Sequence, residues 1–595
     1  MSPSPVVDRR HLDFVLYDML DAESVLRYPR FASHSRETFD AVIELAHRLA
    51  VDKFLSHNRK SDLNEPRMVD GKVELIPEIG EAVAAFNEAG FAAALADEAR
   101  GGMQLPFLVT SACDALFSGA NPSTVAYPLL ARAAANLLEA HADASQKDRY
   151  MQPILAGRWF GTMCLSEPQA GSSLADIRTS AHPQADGSYR LEGAKMWISA
   201  GDHELGENIV HLVLARTTGA PAGVRGISLF IVPRFKVNAD GSRGARNDVR
   251  LAGVNHKMGQ RGSVNTFLKF GEAGDCVAEL VGEPNQGLAY MFHMMNEERI
   301  GVGMGAVMQG YAGYLNSLGY ARERRQGRHP DQKDPASLPI PIIEHADVRR
   351  MLLKQRSYVE GSHALGLYAA MLVDVSLQDP DADTRHEAEL LLELLTPIVK
   401  AWSSDRCLEA NEIAVQVLGG YGYTREFPVE QCYRDNRINP IHEGTNGIQA
   451  LDLLGRKAMM ENGAPLALLF DRIARTIDDA SRDPTLAAMA EELRAMLARA
   501  EAATRAVAER MRRGEVRRGL ANAAHYMTLL GHVAIAWMWL WQALAAARRG
   551  DDAFTRGKIA TCHYFFAVEL PEAMLAAKLV AEADDSAFAF SAEWF

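Results

Sequence analysis

Three short stretches carry residues whose types and spacing could do chemistry. In Ile441-His442-Glu443-Gly444-Thr445-Asn446-Gly447-Ile448-Gln449, a single carboxylate precedes a glycine and a threonine. Shut in with apolar material, such a glutamate has a raised pKa, because burial disfavours its charge, and it becomes a base for a weakly acidic proton. It could equally cap a helix starting near Thr445. In Leu165-Ser166-Glu167-Pro168-Gln169-Ala170-Gly171-Ser172, Ser166 offers a hydroxyl and Gly171 lets backbone approach a ligand, while Glu167-Pro168 fixes an extended turn. Lys195-Met196-Trp197-Ile198-Ser199 then sets a large planar ring beside a hydroxyl, where an ordinary turn and a core tryptophan are the alternatives.

Two further stretches suit anions. Gln416-Val417-Leu418-Gly419-Gly420-Tyr421-Gly422 can leave backbone amides open to phosphate, although helix-ending glycines look the same. Tyr320-Ala321-Arg322-Glu323-Arg324-Arg325-Gln326-Gly327 offers guanidinium donors, or else a solvated, salt-bridged helix face.

Taken in chain order, with Lys257 to Ser263 and Gly101 to Pro106, these stretches resemble the acyl-CoA dehydrogenase family over roughly residues 40–460. The resemblance implies an FAD enzyme that oxidises an acyl-CoA thioester to a trans-2-enoyl thioester. Removing an α proton requires a base beside that carbon, donors on the carbonyl oxygen and an acceptor for the β hydride. By resemblance, Glu443 takes the pro-R α proton, its backbone N–H and a ribityl hydroxyl polarise the carbonyl, and flavin N5 accepts the hydride. Cys164, Leu165 and Ser166 would flank the isoalloxazine, with Trp197 packed on it beside Ile198 and Ser199 hydrogen-bonded to its N5 edge. Arg324, Gln326, Gln416, Gly419 and Gly420 would reach the pyrophosphate, and Thr445, Asn446 and Gly447 complete the flavin set. Ser172, Asn296, Arg299 and Gly444 are the implied substrate contacts; no metal is expected.

This sequence departs from the family pattern in places. His442 stands where an aromatic hydroxyl residue is common, Pro440 stiffens the approach to Glu443, and the connector from Gly327 to Pro341 is long. His442 could bond a substrate or merely fill space. Met291, Met294, Met295, Met304 and Met308 are spaced for helix packing or for lining a flexible acyl pocket.

The composition admits such an enzyme. The chain has 595 residues, 48% hydrophobic and 23% charged, enough for several layers around a cofactor. A net charge of -13 argues against a nucleic-acid or anionic-membrane binder, which needs a basic surface. Six scattered cysteines and no histidine cluster argue against a disulfide framework or a structural zinc. Residues 1–10 do not read as a secretory signal, and no run approaches the ~18 apolar residues of a spanning helix. Val533 to Ala547 reads as a buried helix. The resemblance implies a cytoplasmic bacterial protein, with peripheral membrane contact left open.

The elements that must position these residues follow from periodicity. The expected fold is mainly α with a central β domain: an N-terminal helical domain over 1–158, a barrel-like middle sheet domain over 159–283, a four-helix bundle carrying the base over 284–461, and an additional helical domain over 462–595. Helices are expected at Glu37 to Phe54 and from Pro128, with Pro128 in the first turn. The clearest strands are Tyr189 to Leu191, Ile209 to Ala215, Ile227 to Val232 and Thr266 to Phe270.

The carboxyl-terminal extension is similar to the long bacterial subgroup that includes 3-methylmercaptopropionyl-CoA dehydrogenases and fatty acyl-CoA dehydrogenases. It implies a homodimer that passes electrons to an electron-transferring flavoprotein. The alternatives are an acyl-CoA oxidase using oxygen, a flavin-bearing DNA-associated relative using Arg510, Arg512, Arg513, Arg517 and Arg518, and an acyl-CoA binder without turnover. Glu443 argues against the last.

Overall fold

Alternating and continuous apolar runs between Trp159 and Leu280 fold into eight strands of one sheet: β1 Trp159–Cys164, β2 Ser180–Pro183, β3 Tyr189–Ser199, β4 Asn208–Thr217, β5 Ile227–Pro233, β6 Val249–Val254, β7 Asn265–Phe270 and β8 Val277–Leu280. The structure is a computed structural model that describes residues 4–238, 240–332 and 334–595, excepting the side chains of 293–296. The sheet runs β6-β7-β3-β8-β5-β4-β1, and β2 pairs with both β3 and β4. Strands β2, β3, β8, β5 and β4 therefore close a ring of hydrogen-bonded neighbours, which makes the sheet barrel-like. All of β5 and most of β4 are buried, as expected of strands covered on both faces.

The chain forms two compact units. One comprises residues 40–106 and 116–298, and holds the sheet together with most of the amino-terminal helices. Phe54, Phe86, Phe91 and Phe117 make an aromatic core there of edge-to-face and tilted pairs, with ring centroids 4.9 to 6.4 Å apart. The helix following Asn121 spans Pro122–His141, so Pro128 lies in its interior and not in its first turn. The reason is local: the Asn121 side chain accepts from the Thr124 N–H at 3.0 Å and Pro122 already fills the first turn.

The other unit comprises residues 1–39, 107–115 and 299–595. Helices relevant to it are α1 Phe107–Ala120, α2 Gly287–Glu323, α3 Ala346–Gln378, α4 Ala382–Leu418, α5 Val429–Asn436, α6 Asn446–Gly455, α7 Ala464–Ala480, α8 Ala487–Arg512, α9 Ala523–Arg549, α10 Ala553–Tyr564 and α11 Glu572–Glu582. Helix α9 packs against α3, α4, α6, α7, α8, α10 and α11. Contrary to the sequence expectation, its length and apolarity pass the test for a spanning helix, but 94% of its most apolar window is buried inside the protein. It is the core helix of the added domain.

A buried polar cluster ties this unit's ends together. Lys558 donates to Glu360 at 2.8 Å, to Gln542 at 2.9 Å and to Nδ1 of His11 at 2.6 Å, so all three ammonium hydrogens are used. His11 and Lys558 are separated by 547 positions in the chain.

Candidate functional site

In the sheet unit, the two stretches expected to hold a flavin are tied to each other by a buried ion pair. Strand β1 ends at Cys164, whose thiol burial pushes up to about 12, so it packs as a neutral sulfur. The chain then turns through Glu167, which exchanges two backbone bonds with Ala170. Lys195 of β3, fully buried, reaches across to the Leu165 carbonyl and the Glu167 carboxylate, each at 2.9 Å. Burial alone would raise the Glu167 pKa. Lys195 and donors from Thr179 and Arg178 outweigh it and hold the acid at about 2. The Met196 N–H donates to the Ser166 carbonyl at 3.0 Å, so Ser166 and Trp197 are held on adjoining segments.

Trp197 owes its position to a β-bulge. Strand β7 pairs Thr266 with Ile198 but Leu268 with Lys195, leaving Met196 and Trp197 opposite Phe267. Trp197 adopts a φ of +66°, unusual for a bulky residue, and its side chain is 62% exposed while Ile198 beside it is buried. Ser199 pairs with Asn265, whose amide lies 3.4 Å from the Ser199 hydroxyl. Ser172 is exposed in the loop after Ala170 and makes none of these contacts.

In the helical unit, Glu443 sits in the turn between α5 and α6. Backbone bonds from Ile441 and His442 to the Ile438 carbonyl, and from Asn446 to the Pro440 carbonyl, define that turn. Glu443 has a φ of +52° and Gly444 a φ of +84°, so two successive residues take the left-handed region. Thr445 caps α6, its hydroxyl accepting from the Ile448 N–H at 3.4 Å. The cap is therefore the threonine, and the glutamate is spared for other work. Among the described residues no hydrogen-bond partner engages either the Glu443 carboxylate or its N–H. Burial raises its pKa, with Arg299 and then Lys400 opposing the rise.

The surroundings of Glu443 hold residues that sequence reasoning passed over. Lys400 of α4 is buried and donates to the Gly444 carbonyl at 2.7 Å and to Oδ1 of Asn446 at 2.9 Å. Burial pushes its ammonium down to about 8, although Asp405 and Glu443 pull it back up. The Asn446 amide donates inward to the Ala401 carbonyl, Ser404 and Asp405. Gln449 donates to the Glu443 carbonyl at 3.1 Å. Arg299 is only 6% exposed; burial lowers its pKa, countered by Asp452 and Glu443. It thus lies in the field of Glu443 and is not a freely exposed cation. The side chain of Asn296 lies outside the described residues.

The candidate pyrophosphate residues form a separate exposed group of this unit. Arg324 donates to the Gln326 side chain at 3.0 Å and stands 5.9 Å over the Tyr421 ring, which links the two stretches. The long connector folds back, with Gln326 N–H on the Ile340 carbonyl and Ile342 N–H on the Arg324 carbonyl. Gln416 is exposed on the last turn of α4, and Gly419 ends that helix at a φ of +60°. A Cβ added at Gly419, Gly420 or Gly447 would meet nothing within 4 Å, so their backbone is open to a ligand. Three of the five arginines considered for DNA have side-chain partners within the chain: Arg513 pairs with Glu509, Arg518 with Asp585, and Arg517 lies over Phe588.

Lys195 and Lys400 did leave a sequence signal, each being a lone cation in an apolar run, Gly193-Ala194-Lys195-Met196-Trp197-Ile198 and Pro397-Ile398-Val399-Lys400-Ala401-Trp402. A cation there must find a buried partner.

Comparison with known proteins bears on the family and the fold. Residues 162–271 match the family described as acyl-CoA dehydrogenase, middle domain; residues 285–459 match acyl-CoA dehydrogenase, C-terminal domain; and residues 469–591 match acetyl-CoA dehydrogenase C-terminal like. The chain is 38% identical over 532 residues to 3-methylmercaptopropionyl-CoA dehydrogenase of Ruegeria pomeroyi, covering 88% of this chain and 89% of that one. It is 33% identical to a butyryl-CoA dehydrogenase of Syntrophomonas wolfei, with 98% of each chain covered. The fold resembles an acyl-CoA dehydrogenase from Bacillus anthracis solved in complex with FAD, with a TM-score of 0.75 over 94% of this chain and 90% of that one at 19% identity. On this identity and coverage, the chain belongs to the acyl-CoA dehydrogenase family, with an additional helical domain at its carboxyl end.

Proposed function

We propose that this protein is an FAD-dependent acyl-CoA dehydrogenase, converting a saturated acyl-CoA to the trans-2-enoyl-CoA. The observation that carries the reading is Glu443: a partly buried carboxylate with a raised pKa, without a hydrogen-bond partner among the described residues, in a turn fixed from both sides. Such a group is poised to accept a proton and has no structural task to abandon in doing so.

The residues present suit the cofactor. Trp197 offers an exposed ring to a planar ligand, beside Ile198 and Ser199 on its own strand, and Cys164, Leu165 and Ser166 are assigned to the flanks of that ligand. Arg324, Gln326, Gln416 and the open backbone of Gly419 and Gly420 suit phosphate oxygens, with Thr445, Asn446 and Gly447 at the start of α6. When bound, FAD supplies the acceptor for the β hydride. Glu443 removes the α proton as that C–H bond breaks, the β C–H pair leaves as hydride, and the carbon–carbon double bond forms between them. The Glu443 N–H and the Gly444 segment polarise the thioester carbonyl, which makes the α proton more acidic. Ser172, Asn296 and Arg299 are assigned to the substrate side.

Relatives named for 3-methylmercaptopropionyl-CoA and butyryl-CoA support a linear acyl thioester as substrate. An electron-transferring flavoprotein as electron acceptor, a homodimer and a cytoplasmic location complete the proposal. The test is anaerobic: the purified protein is titrated with saturated acyl-CoAs from short to long, including the methylthiopropionyl thioester, while the flavin band near ~450 nm is followed. Bleaching by one or more thioesters is expected. A bound flavin that no thioester bleaches would overturn the dehydrogenase assignment, and a folded, reconstituted protein without flavin would overturn the cofactor.

A further inference from the structure

Behind the turn that carries Glu443 runs a ladder of buried carboxamides. Asn411 of α4 donates to the Gln309 carbonyl at 2.8 Å. Asn436, at the end of α5, donates to the Ala306 carbonyl at 3.0 Å and to Oδ1 of Asn411 at 2.7 Å. Asn439 donates to Oδ1 of Asn436 at 2.8 Å, and Nε2 of His442 lies 2.9 Å from Oδ1 of Asn439. Asn411 and Asn436 are fully buried and Asn439 is 3% exposed. The backbone leaves room for this: a Cβ on Gly313 would fall 2.5 Å from the Asn411 amide nitrogen.

The ladder has a direction that amide assignment alone could not give. Both of its starting points, the carbonyls of Gln309 and Ala306, can only accept. Asn411 and Asn436 must therefore turn their NH₂ groups toward those carbonyls and their oxygens away from them. The oxygen of Asn436 then requires NH₂ from Asn439, and the oxygen of Asn439 requires a hydrogen on the His442 ring. Each step fixes the next, and a buried ladder with one amide reversed would set two like groups face to face.

We propose that His442 is a positioning residue for Glu443, locked by this ladder as the imidazole with hydrogen on Nε2. The proposal rests on Glu443 being the base. His442 precedes Glu443 directly, and its own N–H closes the turn onto the Ile438 carbonyl at 3.1 Å. The ring's bond to Asn439 thus anchors the turn to α2, α4 and α5 at once. Glu443 keeps its left-handed backbone without a hydrogen bond to its carboxylate, so the carboxylate is held in place by its backbone, and the charges of Arg299 and Lys400 moderate its raised pKa without hydrogen-bonding it.

The test uses the flavin-loaded enzyme and single-turnover anaerobic reduction by its best acyl-CoA. His442→Phe and Asn439→Leu should each slow reduction about tenfold, the worth of one net hydrogen bond in the transition state, with acyl-CoA affinity changed less than about twofold. His442→Gln, which can still donate to Asn439, should recover most of the rate. The double variant should be no slower than His442→Phe alone, because the two residues act through one bond. Nitrogen-15 spectra of histidine-labelled enzyme, with His442→Gln used to identify the signal, should show hydrogen on Nε2 and none on Nδ1 in the neutral ring. Reduction at the wild-type rate in Asn439→Leu, or a neutral ring with hydrogen on Nδ1, overturns the proposal. If the variants lose flavin, the spectrum of the wild-type enzyme still decides. If the wild-type enzyme is not bleached by any acyl-CoA, the assigned reaction fails, while the spectrum reports on the ladder independently.

Discussion

The Lys400 ammonium donates to the carbonyl oxygen of Gly444 at 2.7 Å, one residue beyond the carboxylate proposed as the base. The pairing does two things. It satisfies the carbonyl of a left-handed glycine, and it brings a positive charge into the field of Glu443, moderating the rise that burial causes.

Glu443→Gln removes the base and keeps the shape. Reduction by acyl-CoA should fall by at least ~10²- to 10⁴-fold, the usual worth of a positioned general base, with flavin content unchanged. Stopped-flow bleaching measures it. Full bleaching at the wild-type rate would remove Glu443 from the reaction.

The pH dependence follows from the sign of the same shift. A base must be ionised to act, so reduction is lost as pH falls through the Glu443 pKa, which lies above the ordinary carboxylate value. Lys400→Met takes away a charge that opposes the rise. Its acid limb should move to higher pH, which a reduction-rate profile with pH-matched flavin controls would show; an unmoved limb would deny the coupling.

Lys195→Met leaves Glu167 buried without its cation. The expected cost is ~3–5 kcal/mol, with much less for Lys195→Met combined with Glu167→Gln. Glu167 is held at about 2, below its unfolded value, so its contribution is present above pH ~4.5 and drains away as pH falls toward 2. Urea unfolding of wild type and both variants at pH 7 and at pH 3 checks size and direction together.

Trp197 is mostly outside the core, so Trp197→Ala should change stability by less than ~0.5 kcal/mol while weakening flavin retention. Flavin per chain after gel filtration, beside a thermal melt of the apoprotein, separates the two. A large loss of stability would make the ring structural.

The fold was legible where the pattern was local. The strands expected at Ile209 to Ala215 and Ile227 to Val232 lie within β4 and β5 because both are apolar almost throughout. Pro128 was misplaced because two helix starts compete in that stretch, and Asn121-Pro122 prevails through its cap. The motif residues could be named from the sequence, but not what holds them: Lys195 meets Leu165 from 30 positions away and Lys400 meets Gly444 from 44 away. The glutamate's two readings separated only once Thr445 was seen to cap α6. The carboxamide ladder gave no signal at all, since asparagines at 411, 436 and 439 are individually ordinary.

The buried bonds of Lys558 impose an order on how the molecule is made. Residues 40–106 and 116–298 are complete as a set once synthesis has passed Glu298. His11 precedes both of those segments, yet the ammonium it accepts from lies 547 positions later in the chain. At ~5–20 residues per second that is a wait of roughly half a minute to two minutes. Throughout that time the amino-terminal segment carries apolar residues such as Phe14, Val15 and Leu16 that only the finished helical unit can cover. That segment finds its packing partners only when α9 and the residues of α10, Phe554 among them, have been made.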